Sequence, residues 1–213
     1  MPAQFDARLA AVILAGGKGE RLGGVIKANL RIGGTRLLDR VAAALGSDIA
    51  PVIVAIGNFD PSAILLGPRM IAIPDLASGY AGPLAGFAAA IAWLTEQSHQ
   101  PEFLLSVAVD TPSFPLDFAA RVLAATDQNT GAVIACHGGQ DYPTNGLWRL
   151  SRLRDLPARI ASGTAPHSLR KLAAELLATP LEWPASEPNP FANINTPADL
   201  AAAGGSIENS GAS

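Results

Sequence analysis

A glycine-rich segment that carries three cationic side chains follows the first apolar run of the chain. From Ala11 the sequence reads Ala-Val-Ile-Leu-Ala-Gly-Gly-Lys-Gly-Glu-Arg-Leu-Gly-Gly-Val-Ile-Lys, so that Lys18, Arg21 and Lys27 stand among five glycines. Glycine allows main-chain N–H groups to approach phosphate oxygens closely, and the cations neutralise the phosphate charge. A flexible, solvated loop is the alternative, but such loops seldom combine a strand exit with clustered cations. The segment predicts a site for the phosphates of a nucleotide.

Two common phosphate-binding motifs do not fit this loop. A Walker A loop would require Gly-Lys-Ser/Thr, whereas Gly24 leads to Val25 and Lys27 is followed by Ala28. A dinucleotide-binding loop would require a small residue where Leu22 stands, because a larger side chain obstructs close packing of helix on strand. The sequence therefore gives no support to a P-loop NTPase or to a dehydrogenase.

Short apolar runs alternate with amphipathic ones along the chain, which predicts an α/β fold with a mostly parallel central sheet and helices on both faces. The predicted strands are Leu9–Leu14, Pro51–Ile56, Met70–Ile73, Phe103–Val109 and Gly131–Cys136, and the predicted helices are Leu37–Leu45, Pro83–Leu94, Leu116–Ala125, Ser151–Ile160 and Ser168–Leu177. Asp75 and Asp110 follow two of these strands. Because ligands bind at the carboxyl ends of strands in open α/β sheets, we expect both carboxylates to lie beside the glycine-rich loop.

Composition limits the classes of function that remain. The 213 residues are 49% apolar, enough for one domain over residues 1–203, and the Gly- and Ser-rich residues 204–213 are expected to form a disordered tail. A formal charge of −3 argues against nucleic acid as a partner. No secretory signal or membrane-spanning run is recognisable, and the single Cys136 excludes an internal disulfide, so we expect a cytoplasmic protein. Cys136 is interpreted as a packed thiol, and the three histidines show no zinc-ligand spacing.

The loop resembles the signature of the molybdenum cofactor guanylyltransferases, which carries Leu-Ala-Gly-Gly, an arginine, paired glycines and a lysine in the same register. Three later segments resemble the same family: Gly82-Pro83-Leu84-Ala85-Gly86, Asp110-Thr111-Pro112 and Asn193-Ile194-Asn195-Thr196-Pro197. The resemblance extends from Val12 to Leu200, with the segments in family order. It implies a three-layer, Rossmann-like nucleotidyltransferase fold.

The resemblance also implies an activity. An enzyme of this family transfers GMP from GTP to the terminal phosphate of molybdopterin and releases pyrophosphate, with Mg²⁺ as cofactor. The implied partners are GTP, molybdopterin and the molybdoenzyme proteins that deliver or accept the cofactor. The implied nucleotide-binding residues are Leu14, Ala15, Gly16, Gly17, Lys18, Lys27, Asp75, Gly82, Pro83, Leu84 and Asp110. Arg21, Lys27 and Asp110 are the implied catalytic residues, and Asp110 is the implied metal ligand, with a turn-forming aspartate as the alternative.

Residues for the acceptor are harder to assign. Amide oxygens of Asn193 or Asn195 could complete the metal shell or hold the second substrate, but turn-stabilising asparagines are the alternative. Tyr142-Pro143-Thr144 resembles a His-Pro segment of the family, with Tyr142 in place of the histidine. Tyr142 or Trp148 could line a pocket for a flat pterin. Buried aromatic residues are more often part of a core.

Two positions depart from the family pattern. Ile26 replaces the aspartate that usually precedes the loop lysine, and Ala55 stands where relatives can carry a polar residue that helps to hold guanosine. Three hypotheses therefore stay open: guanylyl transfer to molybdopterin, a related transfer that uses CTP or another acceptor, and a catalytically weakened homologue that binds nucleotide or pterin.

Overall fold

A computed structural model describes residues 6–17, 19–76, 82–185 and 188–206. The strands in this part of the chain are β1 (Leu9–Leu14), β2 (Arg31–Ile32), β3 (Thr35–Arg36), β4 (Val52–Ala55), β5 (Met70–Ile73), β6 (Phe103–Ala108), β7 (Ala132–His137), β8 (Gln140–Arg149), β9 (Thr179–Trp183) and β10 (Gly205–Ser206). The α-helices are α1 (Leu37–Ala44), α2 (Pro83–Thr95), α3 (Phe118–Ala124), α4 (Leu156–Ala161), α5 (Leu169–Glu175) and α6 (Pro197–Ala202). None of the helices in these ranges is long and apolar enough to cross a membrane.

The central sheet has seven strands in the order β5-β4-β1-β6-β8-β7-β9. Neighbouring strands are parallel except that β8 runs antiparallel to both β6 and β7. The predicted mostly parallel α/β sheet is thereby confirmed, and the predicted strands lie within two residues of the observed ones. Strands β8 and β9 were not predicted, because β8 begins with the polar stretch Gln140–Asn145 and β9 is only half apolar.

Apolar residues cover both faces of this sheet, as expected for a three-layer fold. Along β1, Leu9, Ala11 and Ile13 belong to one buried cluster, together with side chains of α1 and α3. Ala10 and Val12 point to the other cluster, together with side chains of α2, α4 and α5. The period of two along β1 thus places helices on both faces of the sheet.

A small second sheet has the strand order β10-β2-β3. Gly33 and Gly34 form the turn between β2 and β3 with φ angles of 57° and 79°, a conformation that favours glycine. Gly205 and Ser206, which fall within the expected tail, pair with β2. A Cβ on Gly205 would lie 2.7 Å from the carbonyl oxygen of Arg31, so that the absence of a side chain lets the chain pair with β2. Residues 207–213 of the expected tail lie outside the described residues.

Candidate active site

The glycine-rich loop begins in a fixed position between β1 and β4. Ala15 is fully buried, and its N–H donates to the carbonyl oxygen of Ala55 at 2.8 Å. A Cβ on Gly16 would lie 2.8 Å from both the Cα and the N of Gly57. Because real Cβ atoms do not approach a backbone so closely, glycine at position 16 is what allows the two strand exits to touch.

The middle of the loop is shaped by three glycines in the left-handed region. Gly19, Gly23 and Gly24 have φ angles of 55°, 83° and 78°, and a Cβ on Gly19 would collide with the carbonyl of Val25. A short 3-10 turn, Glu20–Leu22, lies between them. Its Arg21 is exposed, whereas Leu22 is buried in a third apolar cluster shared with Leu30, Ile32, Leu37, Ile194 and Leu200. Lys18, predicted to bind nucleotide, lies outside the described residues.

Three predicted residues from distant parts of the chain meet at one point. The Nζ of Lys27 donates to Oδ2 of Asp110 at 2.6 Å and to Oδ1 of Asn195 at 2.8 Å. The side chains of Lys27 and Asp110 are only 11% and 14% exposed, so that little water screens the ion pair. The loop, the exit of β6 and the segment before α6 therefore converge, and Asp110 lies beside the loop as expected.

The main chain around these residues is held by a set of hydrogen bonds. The N–H of Val109 donates to the carbonyl oxygen of Leu14 at 3.2 Å, and that of Ile194 donates to the carbonyl oxygen of Asp110 at 2.9 Å. The Asp199 carboxylate accepts the N–H groups of Asn195 and Thr196 at 2.9 Å and 2.8 Å, and the Thr196 hydroxyl accepts the N–H of Asp199. These bonds form a capping box at the start of α6. The bond from the Asn195 N–H is the main reason that the pKa of Asp199 lies below its ordinary value.

A cavity of about 180 Å³ opens beside the ion pair at the carboxyl ends of the parallel strands. Its lining comprises Leu14, Gly16, Gly17, Lys27, Ala55, Asp75, Gly82, Pro83, Gly86, Ala108, Val109, Asp110, Thr144 and Asn193. An adjoining cavity of about 330 Å³ shares Gly17 and Lys27 and adds Gly19, Glu20, Arg21 and Asn195. Most predicted site residues thus border one of two cavities that share lining residues. Their roles stay predictions.

In the wall of the cavity of about 180 Å³, Asp75 lies against helix α2. A Cβ on Gly86 would lie 2.8 Å from Oδ1 of Asp75 and equally close to the Cβ of Ala55, so the helix can approach only because residue 86 is glycine. Partial burial raises the pKa of Asp75, and a hydrogen bond from the Gly57 backbone opposes this shift in part. The 13-residue helix starts at Pro83, which lines the same cavity, and its positive end favours an anion there.

The donor atoms near Asp110 suit a hard divalent cation. Among the described residues no group of three or more His, Cys, Asp or Glu side chains could hold a metal by itself. Mg²⁺, however, is commonly bound through one or two carboxylates together with phosphates and water. Asp110 and Asn193 line this cavity and Asn195 lines the adjoining one, so that one carboxylate and two amide groups could supply such ligands. The residues fit Mg²⁺ that enters with a nucleotide.

Four of the candidate residues have side chains that lie outside both cavity linings. Leu84 is buried in the core beneath α2, and Ala15 is buried under the loop, so that neither side chain lines a cavity. Tyr142 is outside both linings: its hydroxyl accepts a hydrogen bond from Asn189 at 2.7 Å and its ring packs on Phe191. Trp148 is fully buried and cannot form a pterin pocket. Their apolar surfaces are used for packing.

The unusual Ile26 and the single Cys136 are both packed side chains. Ile26 is partly buried against the same apolar cluster as Ala28, so an apolar contact replaces the carboxylate that the family pattern places there. Burial raises the pKa of the Cys136 thiol to about 12, with the Glu182 carboxylate adding to the effect. The thiol is therefore protonated at neutral pH, in line with the interpretation of Cys136 as a packed residue.

Three residues of the site escaped sequence analysis. Thr144 lines the cavity from a part of β8 that was not predicted as a strand. Gly57 makes the close contact with Gly16, and Asp199 supports the segment of Asn195. For Gly57 a signal exists, because it follows the apolar run of β4 just as Gly16 follows that of β1.

Comparison with known proteins agrees with this geometry. The profile of the MobA-like NTP transferase domain matches residues 11–179. The molybdenum cofactor guanylyltransferase of Acidiphilium cryptum (strain JF-5) is 38% identical over 200 residues, covering 92% of this chain and 94% of the relative. That of Bradyrhizobium sp. (strain ORS 278) is 33% identical over 204 residues, covering 95% of both.

A solved structure shares the fold. Molybdopterin-guanine dinucleotide biosynthesis protein A from Archaeoglobus fulgidus superposes with a TM-score of 0.65 at 20% identity, covering 92% of this chain and 96% of that one. The family inferred from the loop, from Asp110 and from the Asn193–Pro197 segment is thus confirmed. The chain belongs to the MobA-like NTP transferases.

Proposed function

We propose that this protein transfers GMP from GTP to the terminal phosphate of molybdopterin, in a reaction that depends on Mg²⁺. The observation that carries the proposal is the meeting of Lys27, Asp110 and Asn195 within 2.8 Å at the phosphate loop of a MobA-like chain. Relatives that cover nearly the whole chain bear the name molybdenum cofactor guanylyltransferase. The proposal includes a cytoplasmic location and protein partners that deliver molybdopterin or accept the product.

In this reaction an oxygen of the molybdopterin phosphate forms a bond to the α-phosphorus of GTP, and the bond from that phosphorus to the bridging oxygen of the β-phosphate breaks. Pyrophosphate leaves with the electron pair. The attacking phosphate is ionised at neutral pH, so no strong general base is required. The chain therefore contributes alignment and neutralisation of charge.

Each residue of the site has a part in that task. Lys27 and Arg21 border the same cavity and would bind phosphate oxygens, and the N-terminal end of α2 at Pro83 adds a favourable dipole. The ammonium group of Lys27 has three N–H donors, of which two bind Asp110 and Asn195, so the third is available for a phosphate oxygen. Asp110, with Asn193 or Asn195, would hold Mg²⁺. When bound, Mg²⁺ neutralises charge on the triphosphate.

A second candidate is transfer of a different nucleotide, such as CMP from CTP. Ala55 favours it: this residue is 1% exposed and lines the cavity with a methyl group, where relatives can offer a polar side chain to guanosine. The catalytically weakened homologue rests on Ile26, which packs against the core beside the loop lysine.

One experiment separates these candidates. The purified protein is incubated with Mg²⁺, molybdopterin and each of GTP, CTP, ATP and UTP, while pyrophosphate release and product mass are followed. We expect a product that carries GMP. A product from CTP alone would contradict guanylyl transfer, and nucleotide binding without any product would favour the weakened homologue.

A further inference from the structure

Three polar side chains are fully buried in the described part of the chain, and each takes part in a hydrogen bond that involves a residue of β6. They are Ser106, Thr111 and Asn145. Ser106 accepts a hydrogen bond from the indole N–H of Trp148 at 2.8 Å, which ties β6 to β8 in mid-strand. Because buried polar groups are costly unless they are bonded, their concentration along one strand marks a place where the fold needs specific support.

The need for support arises from an interruption in β8. The ladder between β6 and β8 ends at the pair of Ser106 and Gly146. On the other edge of β8, Gly146 pairs with Ile134, but the next pair joins Ala135 to Tyr142, so residues 143–145 bulge out of the ladder. The bulge brings Thr144 to the cavity lining. It also deprives the last residue of β6 of a main-chain partner on β8.

Side chains replace that partner at Ala108. The side-chain oxygen of Asn145 accepts the N–H of Ala108 at 3.0 Å, and the hydroxyl of Thr111 donates to the carbonyl oxygen of Ala108 at 2.7 Å. Asp110 comes two residues later, and its own carbonyl is held by Ile194. The direction in which the chain leaves β6, and with it the place of the Asp110 carboxylate, therefore depends on the amide of Asn145.

A role in packing alone does not explain this asparagine. Its Nδ2 is buried and has no hydrogen-bond partner among the described residues, so an apolar side chain of similar size would avoid an unsatisfied donor. What an apolar side chain could not supply is the acceptor for Ala108.

We propose that Asn145 is a positioning residue, which fixes the exit of β6 so that Asp110 meets a divalent cation bound with nucleotide. This inference rests on the proposed function, since it assigns to Asp110 the role of cation ligand.

The test compares two changes at buried hydrogen bonds of the same strand. Asn145→Leu removes the acceptor for Ala108, whereas Ser106→Ala removes the Trp148 contact, four residues before Asp110. Affinity for Mn²⁺ is measured by electron paramagnetic resonance with the α,β-methylene analogue of GTP, which cannot turn over, and the melting temperature is measured in parallel.

We expect Asn145→Leu to weaken Mn²⁺ binding about tenfold or more, as loss of a supporting partner of a metal ligand does. Ser106→Ala should leave Mn²⁺ affinity nearly unchanged while it also lowers the melting temperature. Asn145→Asp, which retains an acceptor oxygen, should restore most of the affinity.

Equal Mn²⁺ affinity in wild type and Asn145→Leu would overturn the inference, and so would an equal loss in Ser106→Ala. If wild type binds no Mn²⁺ with the analogue, the proposed function fails, and the positioning role is decided by hydrogen exchange without ligand. Faster exchange at residues 108–110 in Asn145→Leu than in Ser106→Ala would support it, and equal exchange would refute it. If Asn145→Leu does not fold, Asn145→Ser, whose shorter side chain cannot reach Ala108, takes its place with the same criteria.

Discussion

Two segments meet at the carboxyl edge of the central sheet, the exit of β6 with Asp110 and the glycine-rich loop with Arg21, and their main chains are shaped in different ways. Asp110 follows a strand whose last residue, Ala108, has both main-chain polar groups bonded to buried side chains. Arg21 is exposed and belongs to a stretch that turns at left-handed glycines on both sides, Gly19 and Gly23. Lys27 joins the sides through its ion pair with Asp110. A carboxylate held by buried side chains thus faces cations on a glycine-rich loop, so changes on the two sides should impair the protein for different reasons.

The largest effect is expected from Asp110→Asn, at the exit of β6. The amide cannot replace the charge of the carboxylate that would hold Mg²⁺, and it loses the ion pair with Lys27. We expect turnover to fall on the order of 10³-fold, measured as GMP transfer at saturating Mg²⁺, while the fold persists by circular dichroism. Asp117→Asn, the same change at an exposed residue before α3, is the control and should retain full activity. An active Asp110→Asn variant would remove Asp110 from the site.

A smaller loss is expected from Lys27→Met, on the side of the glycine-rich loop. The change keeps much of the length of the side chain but removes its charge, so phosphate binding weakens and kcat/KM should fall on the order of 100-fold. Lys171→Met changes the one described lysine outside the loop, which is exposed in α5, and should leave kcat/KM unchanged. Equal kinetics of the two variants would show that Lys27 does not meet the substrate.

Two neighbouring glycines test where the fixed part of the loop ends. Gly16→Ala places a Cβ 2.8 Å from the backbone of Gly57, so the free energy of unfolding should fall by about 1–3 kcal/mol. At Gly17 a Cβ would meet nothing within 4 Å, so Gly17→Ala should change it by less than about 0.5 kcal/mol. Urea denaturation measures both. Similar values for the two variants would mean that the close contact between Gly16 and Gly57 does not constrain the start of the loop.

The smallest effect is a dependence of stability on pH from Asp75. Burial raises the pKa of this carboxyl above 3.8, so folding disfavours its ionised form, and stability falls as the pH rises from that value through the raised pKa. Asp75→Asn lacks this titration and should gain stability relative to wild type with rising pH in urea denaturation. Asp199, whose pKa is lowered, should give the opposite sign: Asp199→Asn should lose relative stability as the pH rises. A pH-independent difference for Asp75→Asn would contradict the burial of its charge.

Much of the site could be predicted because its residues belong to short sequence motifs next to regular elements. The exit of β1 into glycines, the Asp-Thr-Pro after β6 and the Asn-x-Asn-Thr-Pro before α6 each follow or precede a regular element. Ligands bind at the carboxyl edge of such a sheet, so the meeting of Lys27 and Asp110 followed from the order of the elements.

What could not be predicted depends on contacts between distant segments. Strand β8 contains the polar Gln140–Asn145 and a proline, and it forms because β6 and β7 offer ladders on both of its sides. The roles of Asn145 and Gly57 exist only once the neighbouring strand exits lie against them. Similarly, β10 pairs with β2 although its composition indicates no strand.

The buried thiol of Cys136 makes the natural chain convenient for optical experiments. Cys136 is the only cysteine, and a pKa of about 12 leaves almost no thiolate to react with a maleimide dye at neutral pH. A cysteine introduced at the exposed Glu20, next to Arg21, would therefore take the dye selectively. Fluorescence from that single label would follow the loop in real time as nucleotide arrives.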